Sequence, residues 1–547
     1  MKRIFLQLTT TEINNMRRIF AILMLIFLVP ELFAQTNFNV TSFGAVADGT
    51  TINTRAIQKA IDACTEKGGG TVFIPSGEFL SGTIQLRKSV TLYLDNGAVL
   101  KGSTNLNDYI LNGKRVGLIY TQNCDNVMIK GEGIIDGNGD TFQYMDKRKT
   151  FKPDEYKKFT RQGMSYASES NEVSDGPAEP HEQRPNQMII FSNCTNARVQ
   201  DVTIKNSPFW TLHLADCNGA IINNVRILNN ILVANSDGID CTCCSNVIIS
   251  NCEIIGGDDA IVLNSYSVHF DLPGFQNLKR PSENIVVSNC VLMSRSSGIR
   301  IGGIDHNYMK NYSFNNILIY NSNRGILLNT GIEGGIENCS FSDITIETRL
   351  HTGDWWGKAE PIHIQAVPTS KGRKAGSIKD IRFRNIKATG ESGIILYGNE
   401  KGIISNISFE ELDFYLKNGT LQKTYGGNFD LRPTVYDSLS LFSHDIPAVF
   451  MKNVEGITIT NSKIIFENNM EDFFKYAIWA EDFMNIKING LTAVPPNSKK
   501  EAVIFLENGK DFSILNSFIN APKKTFLKTN NVSGTIDFSD NKFTEIP

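Results

Sequence analysis

The chain has 547 residues, 41% of them hydrophobic, and its 54 basic and 57 acidic side chains leave a net charge of −3. That length exceeds what one compact core supports, so the chain either divides into domains or repeats along an axis. The balanced charge argues against nucleic acid as the main partner, which would favour a basic excess, yet leaves room for an acidic sugar in a local basic cleft.

Near the start, Met16-Arg17-Arg18 precedes an apolar run from Ile19 to Phe33 and then Ala34-Gln35. A cationic start, a short apolar stretch and a small exit residue form the pattern of an export signal. On this reading residues 1–35 are a signal peptide, Met16 is the initiator, and the protein is secreted or periplasmic. No other stretch is long enough to span a membrane. Thr54 to Lys67 follows, with Ile57, Ala60, Ile61 and Cys64 on one face. That spacing predicts a short amphipathic helix, placed to cap what comes next.

From there the chain repeats. Short runs of alternating β-branched residues recur at Asn126–Gly131, Ala197–Ile204, Ala220–Ile227, Asn246–Ile254 and Asn284–Leu292, and again at Ser377–Phe383, Gly402–Phe409, Gly456–Ile464 and Asn485–Ile488. Asn, Asp, Ser and Gly punctuate them, and the starts at 197, 220 and 246 set a period in the twenties. Strands at that drifting period, without helical periodicity, predict an all-β fold, a parallel β-solenoid forming one domain over 36–547. A β-sandwich or a string of small β domains is the competing architecture. Two stretches break the rhythm and read as long loops: Tyr144 to Arg184, polar and charged, and His351 to Lys374, which carries Trp355 and Trp356. Loops on a rigid scaffold are where binding usually resides. Of ten cysteines, Cys241, Cys243 and Cys244 cluster, but without the paired spacing of a zinc site. A buried, small apolar role suits them better, and neither a metal nor a cofactor is expected.

The chemistry concentrates at two turns. Asn235-Ser236-Asp237-Gly238 precedes one repeated strand and Gly257-Asp258-Asp259-Ala260 follows it, about one coil later. Asp237 should therefore lie beside Asp258 and Asp259 on the neighbouring coil. Crowded carboxylates raise one another's proton affinity, which makes a proton donor available near neutral pH. A donor and a carboxylate base are the minimum for glycoside hydrolysis. A calcium site would use the same residue types, and Asp-Gly is also an ordinary turn dipeptide; spacing alone leaves these open.

Several segments resemble glycoside hydrolase family 28, the polygalacturonases. They are Phe43–Thr54, Gly68–Pro75, Arg184-Pro185, Ser207–Thr211, Asn235-Ser236-Asp237 and Gly257-Asp258-Asp259, and the likeness runs from about Asn37 through nearly all of the chain. It implies a right-handed parallel β-helix and an exported hydrolase, taken as a monomer, acting on pectic, galacturonate-containing poly- or oligosaccharides. It implies Asp258 as general acid, Asp237 and Asp259 as activators of water, and inverted product stereochemistry, for which carboxyl groups about 6.5–9.5 Å apart are expected. Two later motifs depart from the family. Ser296-Ser297-Gly298 stands where the family has Gly-His-Gly, so Ser297 takes the His position. Gly325–Asn329 stands where the family has Arg-Ile-Lys, so Leu327 and Asn329 replace both cations. These changes point either to another sugar or linkage or to lost activity. Arg300, and less directly Arg324, could supply compensating charge, and His269 could replace the missing His. Asn235 and Arg184 would contact substrate, Trp210, Trp355 and Trp356 would stack on sugar rings, and His213 reads as structural. A polysaccharide lyase and a non-catalytic glycan-binding solenoid are the alternatives.

Overall fold

The computed structural model describes residues 37–149, 157–167, 175–266, 280–496, 502–520 and 525–543, with three isolated positions near the start. The apolar run at 19–33, read above as an export signal, and His269 lie outside them.

The chain winds into a right-handed parallel β-helix. Among the described residues thirty-nine strands join in one continuous sheet, successive rungs hydrogen-bonded to one another. Register follows the repeat: Ile221 lies opposite Ile248, Ile248 opposite Val286, and Val286 opposite Ser313, all in parallel. Side chains alternate in and out along each strand, so every coil contributes its inward residues to one long core. There the rung spacing matches the stacking distance of aromatic rings. Phe314, Phe341, Phe383 and Phe409 stack one above the next with centroids 4.7, 4.8 and 4.9 Å apart.

The turns repeat as strictly as the core. Asn246, Asn284, Asn311 and Asn338 all hold left-handed backbone, which asparagine adopts more readily than other side-chain-bearing residues. Each amide donates to the side-chain oxygen of the asparagine one coil earlier, at 3.2, 3.1 and 2.8 Å along the series. The predicted helix spans Thr54–Glu66 and buries Ile57, Ala60, Ile61 and Cys64 against the first coils. All ten cysteines are buried free thiols.

The two interruptions are more structured than the sequence suggested. Within Tyr144 to Arg184, the strand Gln143–Arg148 pairs antiparallel with Ala178–Pro180 and builds an arm beside the solenoid. His351 to Lys374 is not one loop: it contains the rung Ile362–Ala366, whose Ile362 and Ile364 enter the core. Only five residues long and flanked by glycines and charges, that rung carries too little alternation to stand out. No helix among the described residues is long and apolar enough to cross a membrane.

Candidate active site

The two acidic turns meet through local hydrogen bonding. Asn235 takes left-handed backbone (φ 59°), which turns the chain before Asp237. The Ser236 hydroxyl donates to Val233 O and accepts from the Gly257 amide at 3.0 Å, tying one turn to the next coil's. Residue 257 must be glycine: a Cβ there would sit 2.3 Å from the Val233 carbonyl oxygen.

This brings the three aspartates together as expected. One carboxylate oxygen from each of Asp237, Asp258 and Asp259 lies within 4.8 Å of the others. The Asp237 turn stands one rung from the turn that carries Asp258 and Asp259, and the rung spacing of about 4.8 Å brings them within reach of one another. Asp259 is fully buried, and its oxygens accept from the Ser297 amide at 2.8 Å and from Arg300 Nη1 at 3.0 Å. Asp237 is nearly buried, and its Oδ1 has no hydrogen-bond partner. Burial, then the Asp258, Asp240 and Asp259 charges, hold its carboxyl well above the usual range, against Arg300. Asp258 is partly open to the cleft. It accepts from the Asn235 backbone and side-chain amides, both at 3.3 Å, and from the Asp259 amide at 3.0 Å. Burial and the neighbouring Asp259 push its pKa up to about 6. The same oxygens are close enough to share a cation, and Arg300 already brings one positive charge to Asp259.

A cavity of about 280 Å³ opens over Asp237 and Asp258. Asn235, Arg300, Trp210, Trp355 and Trp356, all singled out in the sequence, line it. Trp210 is 9% exposed, stacked on Phe209 and edge-on to His213. Arg184 is not among the lining residues. Its guanidinium donates to the Pro208 and Ala234 carbonyls and, at 2.8 Å, to Asn235 Oδ1, so it braces Asn235 from behind. Arg324 does not supply the compensating charge considered for it: it is 1% exposed and paired with Glu360 at 3.3 Å. Leu327 and Asn329 are buried as well. His213 is buried with Nε2 on Thr242 Oγ1, a structural placement.

Sequence reasoning missed Lys149, Tyr266, Asp354 and Pro433, which also line the cavity. The far wall is built from long-range contacts. The Arg432 guanidinium makes two bonds to Asp430, at 2.9 and 2.7 Å, and reaches Asp354 Oδ1 at 3.0 Å and Trp355 O at 2.8 Å. Trp355 Nε1 donates to Asp175 O on the other interruption, joining the two inserted segments. No local sequence signal announces these partners; only the density of Trp, Gly and charge in His351 to Lys374 pointed there. Asp240 was also missed. It lies two rungs before Arg300 in the same row, the outward series His213, Asp240, Val262, Arg300, Leu327 and His363. It is fully buried, and neither carboxylate oxygen has a hydrogen-bond partner.

The family model for glycosyl hydrolases family 28 matches residues 64–424. The chain is 31% identical over 255 residues to an exo-poly-alpha-D-galacturonosidase of Dickeya chrysanthemi, 41% of either chain. It is 25% identical over 320 residues to a probable polygalacturonase of Vitis vinifera, 54% of this chain and 57% of that one. It thus spans about half the length of these curated relatives. Two solved structures share the fold: an exopolygalacturonase of Thermotoga maritima (TM-score 0.53, 22% identity, 79% of this chain and 87% of that one) and a family 28 exopolygalacturonase of Yersinia enterocolitica (TM-score 0.55, 18% identity, 93% and 79%). With the family model covering most of the chain and the paired acidic turns at its centre, the protein belongs to the glycosyl hydrolases family 28.

Proposed function

We propose that the protein is an exported hydrolase that cleaves glycosidic bonds in pectic, galacturonate-containing oligo- or polysaccharides, and that the β-helix over 36–547 acts as a single-domain monomer. The observation that carries the reading is Asp258: a carboxyl open to the cavity, with a pKa near 6, beside two further carboxyls. In its protonated form it donates to the leaving glycosidic oxygen. Asp237 hydrogen-bonds and orients the attacking water, Asp259 accepts its proton, and Arg300 offsets the negative charge of Asp259. Attack by water from their side gives an inverted anomer. Product stereochemistry is the sharpest check of that step, since retaining pairs lie about 5–5.5 Å apart and inverting pairs about 6.5–9.5 Å.

The cleft supports action at chain ends. Beyond Arg300 the outward row continues as Leu327 and His363, 4% and 0% exposed, so the floor is covered there. A polysaccharide cannot lie along a floor that is covered, so a terminus enters the cavity.

The test is turnover on a panel of pectic oligosaccharides by the native protein and by Asp258→Asn. Reducing sugar released by the native protein alone, as monomer or dimer units and without an ultraviolet-absorbing product, supports the reading. Ultraviolet-absorbing product would mean elimination, and equal release by both proteins would remove Asp258 from the chemistry.

A further inference from the structure

The cavity holds more acid than base. Asp237, Asp258 and Asp354 line it, with Asp259 behind them, and among the described residues its lining cations are Lys149 and Arg300. Arg300 is committed: Nη1 lies on Asp259 Oδ2 at 3.0 Å, Nε donates to Gly302 O at 3.0 Å, and its side chain is 16% exposed. Lys149 is different. It stands at the end of the inserted arm, where its backbone amide bonds Pro177 O at 2.8 Å. Its side chain is half exposed, and its nearest anion among the described residues, Asp354 Oδ2, is 3.9 Å away. That is beyond hydrogen-bond length, and exposed pairs of this kind contribute little. Asp354 does not depend on it, because Arg432 already holds the other oxygen. An ammonium with unspent donors therefore faces the cavity alongside Trp355 and Trp356. The positions where the family carries its strand cations, Leu327 and Asn329, are buried and cannot reach it.

We propose that Lys149 is the residue that selects for a uronic acid: its ammonium takes the carboxylate of a sugar residue seated against Trp355 and Trp356, releasing Asp354 to Arg432. The recognising cation has moved from the solenoid strands to the inserted arm. This rests on the pectic reading of the site and names how the acidic sugar is read.

The experiment is calorimetric binding in the Asp258→Asn protein, where turnover does not intrude. The ligands are trigalacturonate and its carboxyl-reduced counterpart, each with Lys149 intact, Lys149→Gln and Lys149→Arg. Lys149→Gln should weaken trigalacturonate about 10- to 100-fold, the contribution of a charge-assisted hydrogen bond. It should leave the reduced trimer unchanged, and Lys149→Arg should recover most of the loss. Equal weakening of both trimers, no weakening of either, or no binding of trigalacturonate with Lys149 intact would overturn the assignment. Lys149-dependent binding by a native protein that turns over no pectic substrate would uphold it while removing the hydrolytic reading.

Discussion

Two rows of side chains run along the same solenoid and obey opposite rules. Inside, Phe314, Phe341, Phe383 and Phe409 repeat like upon like. Outside, under the cavity, His213, Asp240, Val262, Arg300, Leu327 and His363 change at every rung. Backbone spacing is the same in both, so the scaffold does not dictate the difference. Where stacking of identical groups lowers the free energy, the repeat is kept. Where unlike charges must be brought within reach of one another, it is broken. A solenoid thus separates stability from chemistry by the direction in which a side chain points.

That separation can be tested at both rows. Asp258→Asn should reduce kcat about 10²- to 10⁴-fold, as removal of a general acid does, while its melting curve stays close to native. In the native protein, kcat should fall as pH rises through about 6, because the acid form of Asp258 is lost there; a flat profile would place the donor elsewhere. Phe341→Ala should do the reverse. It should cost about 3–5 kcal/mol of stability in a denaturant titration and leave kcat on the folded protein little changed. Loss of activity in step with loss of stability would mean that the two rows are not separable.

A subtler test is Asp240→Asn. Burial and Asp259 raise the Asp240 carboxyl well above its usual range. A carboxyl with a raised folded pKa contributes stability below its unfolded pKa and loses it as pH rises through the folded value. The amide should therefore stabilise the protein by about 1–2 kcal/mol at pH 8, with the advantage vanishing near pH 4. A destabilised variant at pH 8 would show that Asp240 is needed as an anion. An effect of similar size is expected at the turns. Asn311→Ala should cost about 1–2 kcal/mol for left-handed backbone, and Asn311→Gly less, read as a shift in melting temperature.

The same division explains what the sequence reveals. The helix at Thr54–Glu66, the stacked strands and the meeting of Asp237 with Asp258 and Asp259 all follow from local period and one-coil spacing. Lys149 and Asp354 do not, because each reaches the cavity through an insertion whose partners lie far off in sequence, and Pro433 comes from a segment outside the repeated strands. Arg432, which holds Asp354, sits 78 residues from it. Arg324 shows the converse. Its position in the repeat suggested an available charge, but Glu360, brought over it by an insertion, buries and neutralises it. The rung Ile362–Ala366 was obscured because a repeat one strand long has no period of its own.

The ten buried thiols carry one more consequence. Folded, they are out of reach of any oxidant, so the molecule tolerates an oxidising medium without a single crosslink. Opened, it exposes all ten together, and thiolates freed in such a medium pair indiscriminately. Each excursion to the unfolded chain then becomes a one-way exit, and lifetime outside a reducing environment is governed by how slowly the coils unzip rather than by how strongly they are favoured.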